Sequence, residues 1–308
     1  MDAKKIRKSI SHFFAWLGLS GVSLIVNVLP APLLYGFASG IARIGYVCAV
    51  KQRKIALASL QIAFGSQKSE AEREQIARQC FAYMAKSSIE LMYLIDKPAV
   101  MKKQVRLVHK ERLDQALAAG KGVVLVSAHF GNFPLLLGRL CLEGYRAGGI
   151  MRPMHDARVE KIFVKKRKRY GVRTIYSQPR KECVDETIRA LRQNEIIFIP
   201  IDQNFGTGGV FVEFFGIKAA TATGPAIFAQ RTGAALLPCF ILRQPDDTHE
   251  IVFEEPFWVP EGVRGEEAVF TVIQDLTYII ESYIKKYPAE WGWIHKRWKS
   301  KPSLKGGG

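Results

Sequence analysis

From residue 123 onward, the chain alternates short apolar runs with longer stretches in which apolar residues recur every three or four positions. The first run, residues 123–126, is largely β-branched, a composition typical of a strand buried on both faces of a parallel sheet. The stretches between them have the periodicity of amphipathic helices. The predicted strands are residues 123–126, 147–151, 172–176, 196–201 and 235–242, and the predicted helices are residues 135–142, 159–169, 183–193 and 223–232. This alternation predicts a doubly wound α/β fold, with a mostly parallel central sheet flanked by helices.

The part of the chain before the first predicted strand is predicted to be helical. Apolar residues recur at helical spacing over residues 33–64, and a further short helix is predicted over residues 111–119. Ser69 is the expected N-cap of a long helix between them, because acidic residues follow it in the first turn. The sequence therefore predicts a single α/β domain over residues 33–305, of which residues 33–119 form a helical N-terminal part.

The apolar segment 13–29 follows a cluster of basic residues at the N-terminus. Its length is close to the roughly 17–25 residues that a helix needs to span a bilayer. A cleaved signal peptide, a buried helix of the domain and a membrane anchor all fit this pattern; we predict a helical membrane anchor over residues 1–32. Cations between residues 43 and 54 lie on its other side, so a shallow or re-entrant insertion would keep both flanks on one face of the membrane.

The formal net charge of +17 predicts an anionic partner: an anionic membrane surface, an acidic protein or a nucleic acid. The charge is densest in the predicted helix 159–169, whose cations include Lys161, Lys165, Lys166, Arg167, Lys168 and Arg169. Each cation near an anionic bilayer contributes about 1 kcal/mol to binding. Neither a recognition motif nor an aromatic stacking platform accompanies the run, so nucleic acid is not a predicted partner.

Several common kinds of site are not indicated by the sequence. The five cysteines are scattered, without the spacing of a zinc site, which favours reduced thiols and no bound metal. The glycine-rich stretch 206–209 has neither dinucleotide-binding nor Walker spacing, so no nucleotide cofactor is expected. A Gly-x-Ser-x-Gly nucleophile motif is also absent from the sequence.

Two titratable residues follow buried strands. His129 comes just after the strand 123–126, and Asp202 comes directly after the strand 196–201. Because the carboxyl ends of parallel strands meet at one edge of the sheet, where such folds bind ligands, both residues are candidates for the functional site. A histidine can exchange a proton with a substrate hydroxyl near neutral pH. The competing interpretations are a turn histidine packed on the sheet and a structural carboxylate paired with a lysine.

Four motifs across the chain resemble those of the bacterial lipid A late acyltransferases of the lauroyl/myristoyl type, which are similar to lysophospholipid acyltransferases. The first is Ala-His-Phe-Gly-Asn-Phe at residues 128–133. The others lie at residues 199–216, 221–234 and 291–298, the last reading Trp-Gly-Trp-Ile-His-Lys-Arg-Trp. They occur in the family's order. One position departs from the family pattern of His, four residues, then Asp or Glu, because Pro134 occupies the last place.

The resemblance implies an O-acyltransferase without a cofactor. It implies an acyl carrier protein thioester as the acyl donor and a lipid A precursor, an anionic glycolipid, as the acceptor. It also implies a location at the cytoplasmic face of the inner membrane. The alternatives are acylation of another lysolipid or glycolipid, and a lipid-binding protein that has lost its catalytic pair.

The resemblance implies that His129 is the general base. Pro134 cannot supply the family's carboxylate, which would orient the imidazole and stabilise its protonated form. We expect Asp202 to replace it, because Asp202 lies at the same sheet edge and keeps the negative charge. Asn132 is the alternative partner of the imidazole, and the third possibility is that no substitute exists. If Asn132 is the N-cap of the following helix, Pro134 falls in its first turn, where a missing N–H is tolerated.

Further contacts with the substrates are expected around this pair. Backbone N–H groups near Gly131, or the cation of Arg152, are candidates to stabilise the oxyanion that forms on the thioester carbonyl. Asn132, Arg169 and Gln203 are the other predicted substrate-binding residues.

Overall fold

The computed structural model describes residues 29–154, 156–260 and 265–302, together with Gly21 and Val26. The helices are α1 Ala31–Cys48, α2 Val50–Phe64, α3 Glu70–Leu94, α4 Pro98–Gln104, α5 Lys110–Ala118, α6 Phe133–Leu142, α7 Ala157–Arg169, α8 Arg180–Arg192, α9 Gly224–Thr232 and α10 Glu266–Lys286. The strands are β1 Val105–Val108, β2 Val123–Ser127, β3 Ala147–Met151, β4 Arg173–Tyr176, β5 Ile196–Pro200, β6 Val210–Phe214, β7 Ile217–Thr221, β8 Ala235–Arg243 and β9 His249–Phe253. Almost all of the predicted membrane anchor lies outside the described residues.

A mostly parallel sheet flanked by helices forms the centre of the protein, as the alternation of strands and helices predicts. Within the described residues the sheet has seven strands in the order β1-β9-β8-β2-β5-β3-β4. Strands β8, β2, β5, β3 and β4 are parallel to one another, whereas β9 is antiparallel to β8 and β1 is parallel to β9. The strands β1 and β9 and the separate antiparallel hairpin of β6 and β7 were not predicted.

The middle strand β2 is buried on both faces. Val124 and Val126 pack into the hydrophobic cluster on one side of the sheet, and Val123 and Leu125 pack into the cluster on the other. All four side chains are buried, which explains why the run lacks the polar alternation of a half-exposed strand. Packing on both faces fixes the position of the strand's carboxyl end.

The N-terminal helices are confirmed, with one correction. Ser69 caps α3 as expected: its hydroxyl accepts from the backbone N–H of Glu72 at 3.2 Å, and the Glu72 carboxylate accepts from the backbone N–H of Ser69 at 2.7 Å. The predicted helix over 33–64 is two helices, α1 and α2, which meet at Ala49 with a bend of 87°. Val26, Leu34, Ala38 and Ile89 form the cluster that packs α1 against α3.

The bend at Ala49 limits the length of continuous helix in this part of the protein. Among the described residues, no single helix combines the length and the apolar composition needed to cross a bilayer. Within the same residues, α1 and α2 reach that length and composition when they are counted together as a bent pair.

Candidate active site

The pairing of β2 with β5 places His129 beside Asp202. Val126 is opposite Ile199 and Ser127 is opposite Pro200 in this parallel pair. The pairing continues one residue further, because the backbone N–H of Ile201 donates to the carbonyl of Ser127 at 3.1 Å. His129 and Asp202 each follow the strand ends by two positions and therefore emerge next to each other at the carboxyl edge of the sheet.

The two side chains form a direct hydrogen bond. Nδ1 of His129 lies 2.8 Å from Oδ1 of Asp202. The Asp202 side chain is 2 % exposed and the His129 side chain is 31 % exposed. Because an ionised carboxylate only accepts hydrogen bonds, Nδ1 carries the proton, and Nε2 of the neutral imidazole is left as the basic nitrogen. This is the geometry that the Asp202 hypothesis requires.

The pair shifts both pKa values in the direction that favours the ionised forms. Burial lowers the pKa of His129, but the charge of Asp202 and its hydrogen bond raise it by more, so the pKa of His129 lies above its ordinary value. Burial raises the pKa of Asp202, and the opposing effects of His129 and Trp291 leave it below its ordinary value. Asp202 is therefore a carboxylate at neutral pH and stabilises a proton that His129 accepts.

A tryptophan completes the surroundings of Asp202. The indole N–H of Trp291 donates to Oδ2 of Asp202 at 2.8 Å, and Trp291 is almost fully buried. Trp291 and its neighbour Trp293 both lie in the hydrophobic core. The contact between Trp291 and Asp202 was not predicted, since its signal in the sequence was the motif at residues 291–298.

The turn after β2 has the predicted backbone form. The helix α6 begins at Phe133, Asn132 is the residue before it, and Pro134 lies in the first turn. The expected position of Pro134 is thus confirmed. Proline lacks a carboxylate, and the carboxylate that contacts the imidazole is that of Asp202.

Gly131 and Asn132 of this turn hydrogen-bond to other parts of the protein, which corrects two expectations. The N–H of Gly131 donates to the carbonyl of Glu290 at 2.9 Å, so it is not a free donor for an oxyanion. Gly131 has φ of +55°, and a Cβ there would lie 2.1 Å from the carbonyl oxygen of Ile241, so glycine is required. The Asn132 amide is buried and donates to Glu90 at 2.9 Å and to the carbonyl of Ser87 at 3.2 Å. Asn132 is neither the partner of the imidazole nor placed to bind a substrate.

The remaining predicted residues divide between the two edges of the sheet. Arg152 follows β3, two strands away from β2, and is exposed at the same edge as His129. Strands two positions apart in a sheet are separated by about 10 Å. Gln203 is exposed next to Asp202. Arg169 ends α7 at the opposite edge and pairs with Asp96 at 3.1 Å, so the structure does not bring it to the pair.

No metal site is apparent in the part of the chain that the structure describes, where no group of three or more His, Cys, Asp or Glu side chains is arranged to hold an ion. The chemistry offered by the described residues is that of a histidine base oriented by a buried carboxylate. Such a pair can take a proton from a hydroxyl and return it to a leaving group.

Comparisons with known proteins agree with the motifs. The family model described as bacterial lipid A biosynthesis acyltransferase matches residues 1–300. The lipid A biosynthesis lauroyltransferase of Escherichia coli (strain K12) is 25 % identical over 296 residues, covering 94 % of this chain and 93 % of that protein. The lipid A biosynthesis palmitoleoyltransferase of the same organism is 25 % identical over 297 residues, covering 94 % of this chain and 92 % of that protein.

The similarity extends to an enzyme with another acceptor. The phosphatidylinositol mannoside acyltransferase of Mycobacterium tuberculosis (strain ATCC 25618 / H37Rv) is 28 % identical over 198 residues, covering 61 % of this chain and 58 % of that protein. Among solved structures, the 1-acyl-sn-glycerophosphate acyltransferase of Thermotoga maritima has a TM-score of 0.37 and 14 % identity, over 77 % of this chain and 97 % of that one, a likeness too low to support a functional argument. Because the family model matches nearly the whole of this chain, the chain belongs to the bacterial lipid A biosynthesis acyltransferase family and is an acyltransferase.

Proposed function

We propose that the protein moves a fatty acyl chain from an acyl carrier protein thioester to a hydroxyl group of a lipid A precursor, at the cytoplasmic face of the inner membrane. The observation that carries the catalytic part is the 2.8 Å contact between Nδ1 of His129 and Oδ1 of Asp202. It joins a partly exposed base to a buried carboxylate at the carboxyl edge of a parallel sheet, where substrates of such folds bind.

Nε2 of His129 removes the proton of the acceptor hydroxyl as its oxygen attacks the thioester carbonyl. A carbon–oxygen bond forms, and the carbonyl oxygen takes up negative charge. When this tetrahedral intermediate collapses, the carbon–sulfur bond breaks and the imidazolium returns its proton to the departing sulfur. The products are the ester and the free thiol of the carrier. Asp202 stabilises the imidazolium until it returns the proton. We assign stabilisation of the oxyanion to Arg152, an exposed cation that follows a neighbouring strand end.

Asp202 replaces the carboxylate that Pro134 cannot supply. A buried carboxylate that served only the fold could be bonded by any donor. Its partner here is a titratable imidazole that is 31 % exposed at the carboxyl edge of the sheet. The intact pair, with the pKa of His129 raised, therefore favours the enzyme over the binding protein.

The distribution of cations supports an anionic partner. On α7, Lys166 pairs with Asp96 at 2.5 Å and Arg167 pairs with Glu160 at 2.7 Å. Lys161, Lys165 and Lys168 make no ion pair with the described residues, and their spacing places them on one face of the helix. We assign to this face a role in attracting the acidic carrier protein or the phosphates of the glycolipid.

The exposed face of α1 supports membrane contact. Leu33, Ile44 and Val47 are 57 %, 67 % and 64 % exposed, although they are apolar and lie along one face of the helix. Exposed cations of α2, such as Lys51 and Lys54, follow directly. An apolar face next to cations is the pattern of a helix that lies in the interface of an anionic membrane. This surface would act together with the predicted anchor over residues 1–32.

A second acceptor class remains a candidate because of the similarity to the phosphatidylinositol mannoside acyltransferase. The reaction would be the same, with a hydroxyl of a mannosylated phospholipid in place of the lipid A precursor.

The test is transfer by the purified full-length protein in mixed micelles. Carrier-protein thioesters of several chain lengths are offered with a lipid A precursor or with a phosphatidylinositol mannoside, and products are identified by mass spectrometry. We expect a product heavier by one acyl chain from the lipid A precursor. A product from the mannoside alone would transfer the assignment to the second acceptor class, and no product from either would reject the proposed function.

A further inference from the structure

The segment that follows α10 pairs with the turn that carries His129. The carbonyl of Glu290 accepts from the N–H of Gly131 at 2.9 Å, and the N–H of Gly292 donates to the carbonyl of His129 at 3.1 Å. Between these bonds, Phe130 and Trp291 form an antiparallel bridge. Residues 290–297, which we call the C-terminal strap, therefore fix the backbone on both sides of His129.

The same strap contacts the loop that carries Asp202. Nε2 of His295 accepts from the backbone N–H of Asn204 at 3.0 Å. The guanidinium of Arg297 donates to the carbonyl of Gln203 at 3.2 Å. Together with the indole of Trp291, these contacts join the strap to the ends of both β2 and β5, whose side chains form the His129–Asp202 pair.

From this arrangement we propose that Trp291 is a positioning residue, which orients the carboxylate of Asp202 toward His129 and sets the basicity of the imidazole. The inference rests on the proposed function for its catalytic consequence. Rotation of an aspartate carboxylate about its last bond is only weakly restricted by the side chain itself. A donor on each oxygen, 2.8 Å from Oδ1 and 2.8 Å from Oδ2, removes that freedom.

The chemical nature of the donor matters as much as its position. A lysine or arginine at Oδ2 would form a second ion pair and compete with the imidazolium for the charge of Asp202. The indole N–H is neutral, so it satisfies the second oxygen of a buried carboxylate and leaves the net charge unchanged. It withdraws only part of the carboxylate's charge, and in doing so moderates the pKa of His129.

The other charged or titratable groups around Asp202 do not take this role. His295 accepts a hydrogen bond at Nε2, and burial keeps its pKa below the ordinary value, so it is neutral. Arg297 directs its guanidinium to the backbone carbonyls of Ala220 and Gln203 and to the hydroxyl of Thr221. Within the described residues, Trp291 and His129 are the side chains that bond to the Asp202 carboxylate.

The chain provides a matched control for the test. Trp293 lies two positions away, is fully buried, and donates its indole N–H to the carbonyl of Pro288 at 2.6 Å. Trp291→Phe and Trp293→Phe therefore remove the same atoms from neighbouring buried sites, but only the first removes a donor to Asp202. We expect Trp291→Phe to lower kcat by about 10- to 10²-fold with little change in KM, as loss of a hydrogen bond to a charged group does. Trp293→Phe should keep kcat close to that of the parent protein.

The pH dependence separates positioning from loss of packing. Without the indole donor, Asp202 keeps its full charge for the imidazolium, so the pKa of His129 should rise. The acid limb of the kcat/KM profile should move to higher pH in Trp291→Phe and stay in place in Trp293→Phe. The same shift should appear in an NMR titration of the His129 imidazole, which requires no acyl transfer and so holds whether or not the proposed function is correct.

A double-mutant cycle with Asp202→Asn completes the test. If Trp291 acts through Asp202, then Trp291→Phe should cost little further activity once the carboxylate has been removed. If Trp291→Phe does not fold, benzothienylalanine at position 291 keeps the shape of the side chain and removes only the N–H. Equal kcat and equal His129 titration in the Trp291 and Trp293 variants, or additive losses in the cycle, would overturn the inference.

Discussion

The carboxylate of Asp202 contacts the imidazole of His129 from the end of a neighbouring strand, although the two residues are 73 positions apart in the chain. In the family pattern the carboxylate follows the histidine within the same turn, at the position that Pro134 occupies here. The charge that stabilises the imidazolium therefore depends on the register between β2 and β5.

Replacement of His129 by Ala should reduce acyl transfer by about 10²- to 10⁴-fold, the usual contribution of a general base. The side chain is partly exposed, so the fold should survive its removal, and circular dichroism checks this. His109→Asn is a suitable control, because His109 is exposed on the turn before α5 and has a positive φ that Asn tolerates. Near-normal turnover by the purified His129→Ala protein would contradict the assignment.

Asp202→Asn should lower activity about as severely as His129→Ala, by up to about 10⁴-fold, because the amide cannot stabilise the imidazolium. Activity requires neutral His129 and so rises with pH through its pKa. Since the charge of Asp202 raises that pKa, its removal should move the acid limb of the kcat/KM profile to lower pH. The double variant should show no further loss. Full activity of Asp202→Asn would exclude Asp202 as the partner.

Pro134→Ala should leave the kinetic constants unchanged. Pro134 is exposed in the first turn of α6 and contributes no group to the His129–Asp202 pair. Loss of its fixed φ should lower the free energy of unfolding by about 0.4–1 kcal/mol, because the unfolded chain gains freedom. Urea unfolding measures this change. A large loss of activity in this variant, with the fold intact, would show that the turn depends on proline for more than backbone shape.

The parts of the fold that could be predicted from the sequence are those set by local pattern. Residues 123–126 of β2 are all apolar because both faces of the sheet are covered. Ser69 caps α3 through contacts within a few residues of itself. The break between α1 and α2 was missed because Ala49 is neither glycine nor proline, so the pattern contains no stop signal there.

The candidate site shows where local pattern fails. The sequence predicts Asn132 as a substrate-binding residue or as the partner of the imidazole. Its amide instead donates a hydrogen bond to Glu90, 42 positions away. Backbone N–H groups near Gly131 were expected to stabilise an oxyanion, yet the N–H of Gly131 itself pairs with the C-terminal strap. The bond of Trp291 to Asp202 spans 89 positions and leaves no periodicity in the sequence. Such contacts depend on tertiary packing, and a single sequence does not encode them in any local spacing.

Glu90 should be important for stability at neutral pH and not in strong acid. Its buried carboxylate pairs with Arg243 at 2.5 Å and with His249 at 3.0 Å. Burial raises its pKa, but the bonds to His249 and Arg243 outweigh that effect and lower it from 4.5 to about 2. A depressed carboxyl pKa contributes stability that is present above the unfolded value and lost as the pH falls toward the folded value.

Glu90→Gln should therefore lower the free energy of unfolding by about 3 kcal/mol at pH 7. This is the lower end of the usual cost of breaking a buried ion pair, because Arg243 keeps its pair with Asp247 at 3.0 Å. The difference from the parent protein should shrink as the pH falls from about 4.5 to about 2. Glu74→Gln is the control, since the exposed Glu74–Arg78 pair is worth less than about 1 kcal/mol. Denaturant titrations at several pH values measure both, and equal effects of the two variants would contradict the prediction.

Membrane attachment should depend on the exposed face of α1 as well as on the N-terminal segment. Ile44 is 67 % exposed, and placing it in a bilayer interface would bury an apolar side chain worth about 1.5–3 kcal/mol. Ile44→Glu in the full chain should weaken binding to anionic vesicles about tenfold or more. Ile217→Glu makes the same change at a 44 % exposed position on the β6–β7 hairpin, so this variant should bind vesicles as the parent protein does.

Removal of residues 1–30 should release much of the protein from membranes. The fraction that remains bound at low salt through the α7 lysines should detach at about 0.5 M salt. A truncated protein that stays bound at both salt levels, or equal binding by the two glutamate variants, would show that membrane contact lies elsewhere.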